Sequence, residues 1–179
     1  MVMLTPIVQI EERNKEIKKE DKALENKLAN QTLLKANESL SERYTIKNKN
    51  FDLTSEELTQ LELFFKKLDL YERVLPEVAL PEFLTPDSIP EKYIMAVFIN
   101  GWYDSNFKPY HNQLQSARSD AILVNAPALV STGSRILIAD VNTKKILYYN
   151  EIKMRRTDPR ISEDIENLVA DIIRPIYYK

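Results

Sequence analysis

Glycine is nearly absent from this chain, and its scarcity excludes one large group of binding sites. Only Gly101 and Gly133 occur among the 179 residues. Phosphate-binding loops need several glycines close together, because side chains would keep the backbone N–H groups away from the phosphates. Two isolated glycines cannot build such a loop, so the sequence excludes nucleotide binding of that kind.

The absence of cysteine and the presence of a single histidine exclude further kinds of catalytic and metal site. The chain has no cysteine, which removes a thiolate nucleophile, a cysteine-based zinc site and a disulfide framework. His111 is the only histidine, and alone it cannot supply the paired imidazoles that most zinc and non-haem iron sites use. We therefore expect no metal, no cofactor and no catalytic residue.

Length and charge limit the class of protein. The chain is 44% apolar, and we expect a single domain over residues 1–179. A net charge of −2 argues against a nucleic-acid partner, because such binders are usually basic. The longest uncharged run, residues 121–134, has an apolar part shorter than the roughly 18 residues of a membrane span. Residues 1–10 lack a basic signal segment, so the protein is either cytoplasmic or begins after a removed signal.

The amino-terminal part predicts a strand, a helix and a second strand. Residues 2–10 are β-branched and apolar around Pro6, which predicts a short strand. Residues 11–43 predict a charged helical region, with a solvated outer face as the interpretation we favour and contact with a partner as the alternative. Its apolar stripe consists of Leu24, Leu28, Leu33, Ala36 and Leu40. Residues 44–46 predict the second strand.

The clearest local signal is a capping box at Thr54. Its hydroxyl can accept the N–H of Glu57, and the Glu57 carboxylate can reach back to the N–H of Thr54. The helix that begins there is expected to run through Tyr71 and to be limited by Pro76. Prolines recur through residues 75–91, which predicts a stiff connector lying over the surface.

The rest of the chain predicts most of a sheet. Residues 93–99 are apolar on both alternating faces, as in a central strand. Residues 134–141 and 145–154 predict a hairpin, and a last helix begins at Ser162. We therefore expect an α/β (α+β) fold, a mixed sheet of about five strands with a carboxyl-terminal hairpin, packed by three main helices. Residues 92–178 would hold the sheet and the closing helix.

Three phrases of the carboxyl-terminal half carry a resemblance to a known group. They are MAVFINGWY at residues 95–103, IADVNTKKILYYN at residues 138–150 and DPR at residues 158–160. Over residues 93–178 the chain resembles small bacterial envelope lipoproteins related to the amino-terminal domain of TolB and to the curli-secretion lipoprotein fold. The phrases describe a fold and no catalytic residues, and Lys144 stands where the group usually has a turn glycine.

The resemblance implies an exported protein, often lipid-anchored, that serves envelope assembly or maintenance. With the missing phosphate loops and thiols, it favours a non-enzymatic protein that works through contacts with a protein partner in the envelope. It implies a place on the periplasmic side of the bacterial cell if a signal has been removed, and a cytoplasmic one otherwise. Membrane contact is expected only through a lipid anchor outside this chain.

Residues 100–112 concentrate aromatic rings among polar side chains, directly after the predicted central strand. A candidate ligand site for a sugar, a peptide or an amphipathic edge consists of Trp102, Tyr103, Asp104, Tyr110 and His111. The alternative, which we favour, is a loop whose rings pack on the sheet. A small hydrolase that uses Asp104 and His111 as an acid–base pair is a further alternative, although no nucleophile is evident beside them.

Two other segments allow a functional and a structural interpretation. A basic cluster around Asp158 either contacts phosphate groups or forms ion pairs with nearby acids, and we favour the ion pairs. Its members are Lys153, Arg155, Arg156 and Arg160. Residues 121–130 are the most apolar uncharged stretch, and they are either buried or an exposed interface.

Overall fold

Seven strands and three helices make up the part of the chain that the computed structural model describes, residues 1–14, 17–50, 53–69, 78, 80–84, 91–109 and 129–178. The strands are β1 (Val2–Leu4), β2 (Ile7–Asn14), β3 (Ile17–Glu20), β4 (Lys47–Lys49), β5 (Tyr93–Asp104), β6 (Val130–Asp140) and β7 (Lys145–Arg155). The helices are α1 (Lys22–Leu40), α2 (Ser55–Asp69) and α3 (Ser162–Ile173), with 3₁₀ turns at Glu82–Leu84 and Arg174–Tyr178.

β5 is the central strand of a mixed sheet. Along one edge it pairs in parallel with β1 and then β2, and along the other edge it pairs with antiparallel β6. β7 continues the sheet beyond β6, while the short strands β4 and β3 lie outside β1 and β2. The predicted α+β class, a mixed sheet with three helices, is confirmed, and the sheet has seven strands.

Helices cover both faces of this sheet. α1 and α3 pack on one face, called here the α1–α3 face, and α2 packs on the other, called the α2 face. Met95, Val97 and Ile99 of β5 are buried on the α1–α3 face, and Ile94, Ala96 and Phe98 are buried on the α2 face. The start of β5 is apolar at every position because both of its sides are covered.

The predicted order of the amino-terminal part needs three corrections. Residues 2–10 form two strands rather than one, because Pro6 has no N–H with which to continue the pairing. β2 ends at Asn14 and β3 covers Ile17–Glu20, so the predicted helical region over residues 11–43 is helical from Lys22 to Leu40. The predicted strand at residues 44–46 is wrong, since its place is taken by β4, which begins opposite Val2 of β1.

Pairing with a distant strand explains why residues 11–14 are not helical. β2 lies against β5 along its length, and its carboxyl-terminal half also pairs with β3. The helix begins only after Asp21, whose Oδ1 accepts the N–H of Leu24 at 3.0 Å. The N–H of Asp21 donates to the carbonyl of Ile10, and Glu25 Oε1 accepts the N–H of Ile10 at 2.9 Å. These bonds tie the start of α1 to the edge of β2.

The predicted hairpin of residues 134–154 is confirmed as β6 and β7. Its turn places Lys144 at a φ of 54°, the left-handed region that favours glycine. Asp140 Oδ1 accepts the N–H groups of Asn142 and Thr143, and these bonds lower the pKa of Asp140. The carboxylate of Asp140 therefore stabilises a turn in which Lys144, and not a glycine, has the left-handed conformation.

The capping box at Thr54 is confirmed. Thr54 N donates to Glu57 Oε2 at 2.8 Å, and Glu57 N donates to Thr54 Oγ1 at 3.3 Å. The backbone bond from Thr54 lowers the pKa of Glu57. The predicted extension to Tyr71 and most of the connector over residues 75–91 lie outside the described residues. Leu80 and Leu84, which are described, are buried on the α2 face.

Replacing Thr54 by alanine is expected to lower the free energy of unfolding by about 1 kcal/mol, because the N–H groups of the first turn lose their side-chain acceptor. Urea denaturation measures the change. Thr59→Ala is the matched control, since Thr59 is exposed inside the same helix and alanine favours helix there. Equal stability of Thr54→Ala and the wild type would show that the box contributes nothing.

Candidate functional site

A polar cleft of about 410 Å³ opens on the α2 face, beyond the part of the sheet that α2 covers. Its floor is made by alternate residues of neighbouring strands. From β2 come Gln9, Glu11 and Arg13, from β5 come Phe98, Asn100 and Trp102, and from β6 comes Arg135. Glu62, Phe65 and Lys66 of α2 form one wall, and Glu20 lies at the β3 side.

The strand register explains why these side chains meet. In the parallel pairing of β2 with β5, Gln9 lies opposite Asn100, and Glu11 lies opposite Trp102. Every second residue of a strand points to the same face, so both rows project into the cleft. Most of the residues that line the cleft are polar or charged.

Trp102 is held in the cleft by an arginine. The guanidinium carbon of Arg13 lies 4.3 Å from the centre of the indole ring, a cation–π contact. Arg13 is itself fixed by Glu11 Oε2, at 2.9 Å from Nε and 2.7 Å from Nη2. The half-buried indole therefore packs against a paired guanidinium at the floor of the cleft.

Arg135 closes the inner end of the cleft with a network of paired charges. Its Nη2 lies 2.8 Å from Asp69 Oδ2 and 3.2 Å from Glu151 Oε1, and its guanidinium lies 5.8 Å from the ring centre of Phe65. The hydroxyl of Tyr149 donates to Asp69. Burial and the neighbouring Asp69 raise the pKa of Glu151, and burial raises the pKa of Tyr149, which keeps its phenol protonated as a donor.

Asn100 connects this network to the floor. Arg135 Nη1 donates to Asn100 Oδ1 at 3.4 Å. The carboxamide is half-buried and lies between the paired charges of Arg135 and the indole of Trp102. A carboxamide carries both donors and an acceptor, so it can bond to a ligand that has hydroxyl or amide groups.

Tyr103 lies on the opposite face from Trp102, because it is the next residue of β5. Its ring is buried on the α1–α3 face, and its hydroxyl donates to Asp21 Oδ2 at 2.8 Å. Arg160 packs on the ring at 4.6 Å, and its Nε and Nη2 donate to the two carboxylate oxygens of Asp158. Burial, followed by the bond to Asp21, raises the pKa of Tyr103. Tyr103 thus joins β5 to α1 and to the Asp-Pro-Arg turn.

Asp104, another predicted site residue, is not among the residues that line the cleft. Asp104 Oδ1 accepts the N–H of Asn106 at 2.8 Å and so holds the turn after β5. Tyr110 and His111 lie outside the described residues, as does the predicted apolar segment up to residue 128. The ion pair predicted for the basic cluster is present between Arg160 and Asp158.

Sequence reasoning missed Gln9, Arg13, Asn100 and Arg135 as partners of Trp102. They come from three strands, and only the register brings them together. One signal was available, because polar residues at positions 9, 11 and 13 alternate with the apolar Val8 and Ile10. That two-residue period predicts a strand with one polar face.

Two structural observations concern other kinds of site. Within the described ranges, no group of three histidine, aspartate or glutamate side chains is placed to hold a metal ion. Among the helices that the structure describes, none has the length and apolarity needed to cross a membrane.

Comparison with known proteins finds similarity at the level of solved structures. No protein-family model matches the chain, and no curated protein matches it. The hypothetical protein CT253 from Chlamydia trachomatis has a TM-score of 0.44 and 12% identity, covering 98% of this chain and 93% of its own. A Helicobacter pylori protein described as a neuraminyllactose-binding hemagglutinin homolog has a TM-score of 0.44 and 13% identity, covering 99% and 80%.

The lipoprotein GNA1162 from Neisseria meningitidis is also similar, with a TM-score of 0.37 and 12% identity. The similarity covers 99% of this chain and 97% of that one. None of these similarities identifies a function.

Replacing Arg135 by methionine is expected to lower the free energy of unfolding by about 1–3 kcal/mol at pH 7, because two carboxylates lose the cation they share. Burial raises the pKa of Glu151 in the folded protein. Protonated Glu151 therefore stabilises the fold below its ordinary pKa, and this stabilisation is lost as the pH rises through the raised value. The loss in the variant should therefore be smaller near pH 4 than at pH 7.

Urea denaturation at the two pH values measures this difference. Arg174→Met is the matched control, because Arg174 is exposed and pairs with Asp171 on the surface of α3, where an ion pair contributes little. A loss in Arg135→Met that is the same at both pH values would contradict the electrostatic role.

Proposed function

We propose that this protein is a non-enzymatic binding protein of the bacterial envelope, and that its cleft holds an uncharged, hydroxyl-rich ligand of the glycan type. The observation that carries the proposal is the fixed indole of Trp102 on the floor of a polar cleft of about 410 Å³. Small-molecule sites combine apolar rings with a few placed polar groups, and this floor has both.

An uncharged ligand fits because the charges nearest the ring are already paired. Arg13 is bound by Glu11, and Arg135 is bound by Asp69 and Glu151. An ionic ligand would have to break one of these pairs and would leave a half-buried carboxylate without its cation. The carboxamides of Gln9 and Asn100 can donate to and accept from hydroxyl groups without that cost.

The envelope location and the non-enzymatic role rest on the sequence. The carboxyl-terminal half resembles envelope lipoproteins, and the phrases it shares with them describe a fold. Phosphate-binding loops and thiols are missing from the whole chain. The partner protein predicted from the resemblance stays a prediction, and the glycan ligand is the part of the proposal that comes from the cleft.

Tryptophan fluorescence tests the ligand directly, because Trp102 is the only tryptophan. We expect neutral oligosaccharides to change its emission, and charged sugars and short peptides to have a weaker effect. Asn100→Ala should weaken oligosaccharide binding about tenfold by removing a hydrogen-bonding group. Asn48→Ala is the matched control, since Asn48 is exposed in β4 and does not line the cleft.

Two results would contradict the ligand proposal. One is calorimetric binding of an oligosaccharide that Trp102→Phe and Asn100→Ala leave unchanged. The other is a preference for charged sugars or peptides over neutral oligosaccharides.

Fractionation of cells that express the full native gene tests the location. We expect the protein with the envelope or in the periplasm, and recovery only in the cytosol without signal cleavage would contradict this. Turnover of a defined substrate that is lost in His111→Ala would contradict the non-enzymatic role and favour the hydrolase alternative.

A further inference from the structure

The α1–α3 face has an apolar groove at the end of the sheet opposite to the cleft. The groove has a volume of about 500 Å³, and its wall includes Tyr44, Tyr93, Ile138, Leu147, Tyr148 and Ile176. Tyr93 begins β5, whereas Trp102 lies near its other end, about 30 Å away along an extended strand. The two sites are therefore separate in space and opposite in chemistry.

Large apolar side chains at this groove are exposed. Leu147 is 48% exposed, Tyr44 is 40% exposed and Tyr93 is 37% exposed. A change of register between β6 and β7 at Ile138 and Ala139 lies beside Leu147. Single exposed apolar residues are ordinary, but a group of them around one groove marks a surface that contacts something.

The chain around the groove is basic, although the whole protein is acidic. Residues 42–47, 91–92 and 140–145 contain five basic and three acidic side chains, against a net charge of −2 for the chain. Lys144 and Lys145 are exposed at the tip of the β6–β7 turn. Lys47 is paired with Glu91 and Lys92 with Asp140, so the excess positive charge beside the apolar groove comes from Lys144 and Lys145.

We propose that this end of the molecule itself docks on an anionic lipid surface, which goes beyond the expectation from the sequence that only a lipid anchor contacts the membrane. Leu147, Tyr44 and Tyr93 enter the headgroup region, and the lysines of the turn lie against the lipid phosphates. An apolar centre with a basic border is the pattern of interfacial membrane binding. Tyrosine suits that position because its ring is apolar and its hydroxyl stays in water.

The proposal goes beyond the binding of a ligand in the cleft, and it gives the molecule an orientation. With the groove on the membrane, β5 points away from the lipid and carries the cleft at its far end. Trp102 then stands clear of the bilayer, where a ligand can reach it. Either site works without the other, so they can be tested separately.

Vesicle sedimentation with the full chain tests the docking. The probes are vesicles of phosphatidylcholine alone and of phosphatidylcholine with phosphatidylglycerol. We expect about tenfold tighter binding to the anionic vesicles at low salt, and loss of this preference at high salt, because ions screen the lysines.

Variants identify the surface that binds. Leu147→Ser should weaken vesicle binding about tenfold by removing an inserted apolar group, and Leu34→Ser, at an exposed leucine of α1, should leave it unchanged. The double variant Lys144→Glu and Lys145→Glu should abolish the preference for anionic vesicles. The same two changes at Lys18 and Lys19, exposed in β3, should not. Trp102→Phe should bind vesicles as the wild type does, whatever becomes of the ligand proposal.

Three outcomes would overturn the proposal. One is no binding to either vesicle, and another is equal binding to both. The third is self-association that depends on Leu147, seen by analytical ultracentrifugation, which would show that a second copy of the chain covers the groove. Far-UV circular dichroism of each variant ensures that a loss of binding reflects the surface and not unfolding.

Discussion

The pairing of β5 along both of its edges is the constraint on which the other elements depend. Its twelve residues extend over about 40 Å, and they pair with β1, β2 and β6. α2, with fifteen residues, is only about 22 Å long, so it cannot cover the whole of its face. Among the described residues, the α2 face opens into the cleft near one end of β5, and the α1–α3 face has its groove near the other end. The cleft is polar, and the groove is apolar.

Alternation along β5 also decides how its aromatic residues are used. Trp102 and Tyr103 are neighbours in sequence, but they serve opposite faces and different networks. Each ring is covered by an arginine, Arg13 for the indole and Arg160 for the phenol. Each arginine is bound by a carboxylate two residues earlier in the chain, so its charge is neutralised locally. The same arrangement, an arginine that is paired with a carboxylate and packed on a ring, is thus found at Trp102 on one face and at Tyr103 on the other.

Features that depend on neighbouring residues could be predicted from the sequence, and features that depend on strand register could not. The capping box at Thr54 and the β6–β7 hairpin involve short separations, and both are present as expected. The charged sequence after residue 10 favoured a helix, but residues 11–14 and 17–20 pair as strands. Trp102 could be singled out by its surroundings, whereas Arg13 and Arg135 could not be assigned to it before the strands were aligned. The sequence shows that Lys144 stands in place of the usual turn glycine. It does not show that the Asp140 carboxylate stabilises this turn.

The parallel pairing of β1 and β2 with β5 has a consequence for how the chain folds. Ile7 pairs with Phe98, so about ninety residues must be made before the first strands find their partner. β5, β6 and β7 are antiparallel neighbours in the sheet, and a hairpin of that kind closes quickly. We expect a hairpin-first order of folding, with insertion of the amino terminus beside β5 as the slow step. Until that step is complete, one edge of the central strand is open to pairing with other chains, and this is when aggregation is most to be expected.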